Sequence, residues 1–249
     1  KHKIIYRAAA EPGTYVPPPR TVEDLLAVLK TYPDAPNADA AAALVRQAPP
    51  KTDDARKLAA FYWERGRAAQ RLGLVQQQIA DLRKAAEYGQ GLSSKDVEGD
   101  RILAELAGAE IQGGNLLTAL ALRRQAIEAA ARSKSLGLQM ANAALLAELY
   151  SRLGERKLAQ AALDEAETLL AALQRSRNWG WYQHNWPTWV SEARAILLED
   201  EGKYQEAESL RRRVLTDREA DIEMNKQRLA TAELIGVPSQ ESVLMHRGR

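Results

Sequence analysis

Across 249 residues the chain carries 35 Lys and Arg against 33 Asp and Glu, a formal net charge of +2, and no cysteine. So even a balance argues against a dedicated nucleic-acid binder, which gathers a basic excess on one face, and the missing thiols remove disulfides, thiolate nucleophiles and zinc–thiolate sites together. Hydrophobic residues make up 45% and aromatic ones 6%; with Ala and Leu dominant, no strand-like alternation and no apolar run of membrane-spanning length, the class is all-α.

The chain starts at Lys1 rather than Met, which reads as a trimmed or mature product, and its first residues lack the charged-then-apolar layout of a signal peptide. Residues 1–20 hold Pro12, Gly13 and the run Pro17-Pro18-Pro19. Proline donates no N–H and pushes its predecessor toward extended geometry, so this is an arm. A plain linker is preferred there to a ligand for a proline-binding domain. Residues 21–51 predict a helical cap. Thr21 stands as an N-cap before Leu25, Leu26, Val28 and Leu29, Pro33 and Pro36 close that helix, and a second runs from Asp39 to Gln47 before Pro49-Pro50.

From Thr52 a single pattern recurs. Thr52 or Asp53 is expected to cap a helix with Leu58, Phe61, Tyr62, Gly66 and Ala69; Gly73 turns the chain, and Ile79, Leu82 and Ala85 face back. A second unit starts at Asp100 with Leu103, Leu106 and Ala107, turns at Gly113-Gly114 and returns through Ala119, Leu122, Ala126 and Ile127. The third, residues 143–170, shows the pattern most fully. Leu145, Leu146, Leu149 and Tyr150 recur at helical spacing, Gly154 turns the chain, and Leu158, Ala161, Ala162 and Leu169 follow. The fourth opens near Pro187, passes Ala195, Ile196 and Leu198, turns at Gly202 and continues through Tyr204, Ala207 and Leu210. Its second helix is expected to run on to Leu234, solvated over Thr216 to Asp221, with a C-cap signal at Gly236 and Pro238. Four units thus fill residues 52–236, and 237–249 read as a tail.

The order Ala147, Tyr150, Gly154, Ala159, Ala166 resembles a tetratricopeptide repeat. The turn glycines are spaced by 41, 40 and 48 residues, against about 34 in the standard repeat, so the likeness is to the longer, roughly forty-residue variants, as in kinesin light chains. The family's signature Trp and Pro are missing from most units. The resemblance implies a right-handed α-solenoid of tandem helical hairpins whose inner groove, lined by the first helix of each pair, grips a protein or peptide segment. Carried over residue by residue, its groove positions are Trp63, Arg67, Gln70 and Arg71; Arg101, Glu105 and Gln112; Glu148, Ser151 and Arg152; and Trp189, Glu192 and Glu199. The plainer account of each is a solvated helix face with i,i+4 pairs. The Lys/Asn clamp with which some members grip a chaperone's terminal carboxylate is not reproduced. Arrays of this length also resemble those preceding CHAT-type peptidase domains and other bacterial effectors, which implies an effector domain C-terminal to these repeats in a longer polypeptide. A sensor for a signalling peptide or small ligand, and a helical-repeat nucleic-acid binder, are the alternatives.

Little else carries chemistry. Four of the five tryptophans fall between Trp179 and Trp189, in the stretch that lengthens the last interval. A packed plug between spaced repeats is preferred there to an exposed hot spot. The histidines are His2, His184 and His246, and no GxSxG, HExxH or GxxxxGK[ST] motif occurs. Gly89-Gln90-Gly91-Leu92-Ser93-Ser94-Lys95 lacks the second glycine before its lysine and follows no strand, so it reads as a loop. Arg123-Arg124 and Arg211-Arg212-Arg213 are expected on solvated helix surfaces. No enzyme, cofactor or metal site is expected.

Overall fold

A computed structural model describes residues 21–23, 38–90, 92, 98–177 and 179–234. The Pro-rich arm, the cap helix beyond Glu23, most of the Gly91–Lys95 loop and the tail with Gly236 and Pro238 lie outside the described residues. Ten helices and no strand appear among the described residues: α1 (Ala38–Val45), α2 (Ala55–Arg71), α3 (Val75–Gly89), α4 (Gly99–Gln112), α5 (Leu116–Arg132), α6 (Leu136–Arg152), α7 (Arg156–Gln174), the single-turn α8 (Trp179–Tyr182), α9 (Trp186–Asp200) and α10 (Tyr204–Leu234).

The pairs α2–α3, α4–α5, α6–α7 and α9–α10 are antiparallel hairpins, each stacked on the one before it. Their turns share one hydrogen-bond scheme. After α6, the Gly154 N–H reaches the Ser151 carbonyl at 2.9 Å and the Glu155 N–H the Tyr150 carbonyl at 2.9 Å, the paired bonds of a Schellman ending. Gly73, Gly114, Gly154 and Gly202 all take φ between +70° and +82°, a region that L side chains avoid. The turn glycines read from the sequence are therefore the turn glycines of the fold.

Small residues set the helix spacing. Ala147, Ala159 and Ala166 are fully buried in a central core with Met140, Leu146, Tyr150, Leu163, Leu173, Val190 and Leu197. Gly66 lets α3 approach α2, since a Cβ there would stand 3.1 Å from Leu82 Cγ. Leu158, Ala161 and Tyr204, expected on apolar faces, are exposed instead. Leu158 and Ala161 flank the buried stripe of Ala159, Ala162, Leu163 and Ala166 on α7, and Tyr204 is the first residue of α10, with no earlier turn of its own helix beside it. The cap of α2 is Asp54, not Thr52 or Asp53: its carboxylate accepts the N–H groups of Arg56 at 3.0 Å and Lys57 at 3.3 Å.

Polar pairs tie helix to helix, within units and between them. Arg65 Nη2 donates to Asp81 Oδ1 at 2.6 Å and Nε to Oδ2 at 2.9 Å, locking α2 to α3. Glu110 on α4, fully buried, accepts from Arg83 on α3 at 2.8 Å and from Asn115 in the next turn at 2.7 Å. The cap helix α1 is held at its C-terminal end, where the Val45 carbonyl takes Gln77 Nε2 and the Gln47 carbonyl takes Arg65 Nη1, both at 2.8 Å.

Candidate functional site

The first helices α2, α4, α6 and α9 carry every position assigned to the inner groove. Between α2 and α4 those side chains meet. Trp63 Nε1 donates to Glu105 Oε2 at 2.7 Å, Arg67 Nε stands 3.8 Å from Glu105 Oε1, and the Arg67 guanidinium lies 5.6 Å from the Trp63 ring centroid. Burial pushes the Glu105 carboxyl up, opposed by the Trp63 hydrogen bond and by Arg67 and Arg101. Arg101 itself pairs with Glu98 at 2.8 Å. Trp63 does not simply point away from the core, as a groove anchor would: it packs against two apolar clusters, one of Ala59, Tyr62, Ala85 and Ile102 and the other of Ile79, Leu82, Leu106 and Ala109. Its indole is part of the packing between the first and second units.

A second group forms around α6 and α9. Burial raises the Glu148 carboxyl, the Glu192 charge adds to that, and Arg152, Arg123 and Arg211 pull it down. Glu192 pairs with Arg218 at 3.5 Å and Glu199 with Arg211 at 3.0 Å, both arginines coming from α10. The Ser151 hydroxyl bonds to the Asp200 carboxylate. The long last helix thus neutralises the acidic positions of the fourth unit. Gln70, Arg71, Gln112 and Arg152 are exposed, and Trp189 keeps 37% of its surface.

The aromatic stretch divides. Trp179 and Trp186 pack against the central core, and the Trp186 ring lies so close to Gly137 that a Cβ there would stand 2.6 Å from it. These two form the plug between the third and fourth units, while Trp189 faces solvent.

One expectation is overturned by the packing. Arg123 does not lie on a solvated surface: only 5% of it is exposed. Its Nη1 donates to the Ala104 carbonyl of α4 at 3.0 Å and to Asn142 Oδ1 of α6 at 2.8 Å. The adjacent Arg124 leans on the Tyr150 ring, 5.7 Å from its centroid, and bonds to the Tyr150 hydroxyl. Two consecutive arginines on a helix point about 100° apart. One enters the joint between α4 and α6 and the other lies over α6, a division that a charge count cannot register.

No group of His, Asp and Glu among the described residues is arranged to hold a metal ion, and no described helix is long and apolar enough to cross a membrane. No protein-family model and no curated protein matches the chain. Solved structures do. The TPR-like repeats assigned to a putative kinesin light chain of Podosopora anserina superpose with a TM-score of 0.51 at 21% identity, over 72% of this chain and 82% of that one. A point variant of the same repeats gives 0.54 at 20%, over 73% and 84%. Likeness at such low identity speaks to the fold, which agrees with the hairpins, turns and stacking described above. The chain has the TPR-like fold, an all-α solenoid of tandem helical hairpins.

Proposed function

We propose that the chain is a protein-interaction scaffold that holds an extended peptide or protein segment along the face formed by α2, α4, α6 and α9. One observation carries the reading. Glu105 and Glu148, at groove positions of successive units, both have carboxyls raised chiefly by burial. A convex, solvated helix face would leave such groups fully hydrated; a trough between helices does not. On the same set of first helices Arg71, Arg152 and Trp189 remain exposed to meet a ligand, and Trp and Arg are the residues from which binding hot spots are built. The role is a scaffold's and not an enzyme's, in a module of a longer polypeptide whose effector domain follows it, on the pattern of bacterial repeat–effector chains.

The test is capture of partners from the native source, followed by titration of the captured segment against variants. R71A, R152A and W189A together should weaken binding by at least about 2 kcal/mol, a hot-spot-sized loss. Lys157 and Glu165, both exposed on α7, serve as the outer-face control, and K157A/E165A should leave affinity unchanged. Loss of binding in the outer pair alone moves the working surface to the second helices.

A further inference from the structure

The guanidinium of Arg123 occupies the joint between α4 and α6, reached from α5 behind them. Its hydrogen bonds among the described residues all leave from Nη1, to Ala104 on one wall and Asn142 on the other. Nε is buried and has no partner, and no carboxylate among the described residues forms an ion pair with the group; Glu148 acts on it only through space. Burial holds its pKa down to about 10. A buried cation is normally paired, because the unpaired group bears the whole desolvation penalty. The edge left over, Nε with Nη2, is one of the two forks with which arginine takes a planar carboxylate in two parallel hydrogen bonds.

The sequence leaves an opening beside that edge. On α4, Arg101, Glu105, Gly108 and Gln112 are spaced by four, three and four residues and share the groove stripe. Gly108 is the one member without a side chain, it is partly exposed, and a Cβ built on it would stand 3.7 Å from Arg123 Nη2. Any larger residue would cover the guanidinium from the groove side. The α4 wall therefore puts no side chain over the Nη2 end of an incompletely bonded cation. The two walls are joined mainly through α5, each packing on it far more than on the other.

Resting on the groove reading above, we propose that Arg123, reached past Gly108 between α4 and α6, anchors a carboxylate of the bound peptide, from either an Asp or Glu side chain or the chain's terminus. The ligand would supply the counter-ion that the fold withholds, so occupancy should also tighten the α4–α6 joint.

The first test needs no ligand. G108D places a carboxylate on the groove stripe within reach of Nη2, and G108N places an uncharged isostere there. At pH 7 G108D should melt above G108N by about 2–4 °C or more, and the difference should vanish in an R123M background. G108D melting no higher than G108N overturns the inference. R123M removes a group packed among three helices and can unfold the chain, so the same comparison is repeated on the intact Arg123 as pH falls from 7 to 3, where protonating the new carboxyl should progressively shrink the gain.

The second test uses three peptides: amidated (Glu-Ala)4, (Gln-Ala)4 with a free C-terminal carboxylate, and amidated (Gln-Ala)4. One of the first two should bind, at least about tenfold more tightly than the third, and G108V should remove that preference by covering the guanidinium. Binding by the first assigns the anchor to acidic side chains, and binding by the second assigns it to a chain terminus. Equal binding of all three, insensitive to G108V, overturns the anchor while the groove stands. A G108D gain with no peptide bound keeps a carboxylate site but overturns the peptide reading on which it rests.

Discussion

Glu148 sits on α6 among Arg152, Glu192, Arg123 and Arg211, and burial outweighs the cations in holding its carboxyl above the usual range. The direction fixes a pH dependence. A carboxyl whose folded pKa lies above its unfolded value binds its proton more tightly in the native state, so its contribution to stability is fully present below the unfolded value. That contribution is lost as pH rises from about 4.5 through the folded pKa. Gln keeps the shape and cannot ionise. The stability of wild type relative to E148Q, measured by urea unfolding, should therefore be greater at pH 5 than at pH 7. A gap that is the same at both values would mean that Glu148 titrates as a free carboxylate and that the trough around it is open to water. Trp63 and Glu105 show the same economy of position: one hydrogen bond of 2.7 Å links adjacent units and also holds an indole against the core.

At the scale of helices, the same paired bonds end α2, α4, α5, α6 and α9, but only four of these turns have glycine. After α5 the left-handed position is Lys134, with φ +58°, where the Lys134 N–H bonds to Ala131 and the Ser135 N–H to Ala130. Left-handed geometry costs a non-glycine residue about 1 kcal/mol or more, so K134G should stabilise by about 0.5–1 kcal/mol once the entropy of the unfolded glycine is set against it. G154V should destabilise by about 1 kcal/mol or more, through strain alone, since no neighbour stands within 4 Å of the added Cβ. Gly99 has equally open space without the positive φ, and G99V should cost distinctly less. Thermal melts of the three variants decide this; equal shifts for Gly154 and Gly99 would remove strain as the explanation.

These turns also explain how much of the fold is legible in the sequence. A glycine required by a positive φ leaves a mark at a regular interval, so the four hairpins, their order and their long period can be read. Lys134 leaves no such mark, and the link between the second and third units follows only from its neighbours. The cap at Asp54 lies one or two positions from the expected one, because Thr52, Asp53 and Asp54 are all competent and only backbone geometry chooses among them. Arg123 escapes a reading of the sequence for a different reason. Its burial depends on the joint between α4 and α6, residues 19 positions away on either side, and nothing local distinguishes it from Arg124. Gly108 is the available clue, a bare position among the polar residues Arg101, Glu105 and Gln112 of α4.

Among the described residues, the side-chain bonds that join units link each to its neighbour: Trp63 to Glu105, Arg83 to Glu110, Arg123 to Asn142, Arg194 to Glu167. Packing follows the same rule, with α9 resting on α6 and α7 and α10 resting on α9. A stack held only by nearest neighbours transmits a local loss of stability down its length with attenuation, unlike a single globular core. Gly73 and Gly202 mark the two ends of the stack and share the same left-handed turn, with φ of +70° and +78°. G73V should therefore speed amide exchange in α2 and α3 by about fivefold, the equivalent of about 1 kcal/mol, and leave α9 and the first half of α10 within about twofold of wild type. G202V should do the reverse. Hydrogen exchange followed by mass spectrometry resolves the helices separately and reads both variants under one condition. Equal acceleration at both ends in both variants would show that the units unfold as one body, and that the plug of Trp179 and Trp186 couples the fourth hairpin to the rest more tightly than nearest-neighbour packing allows.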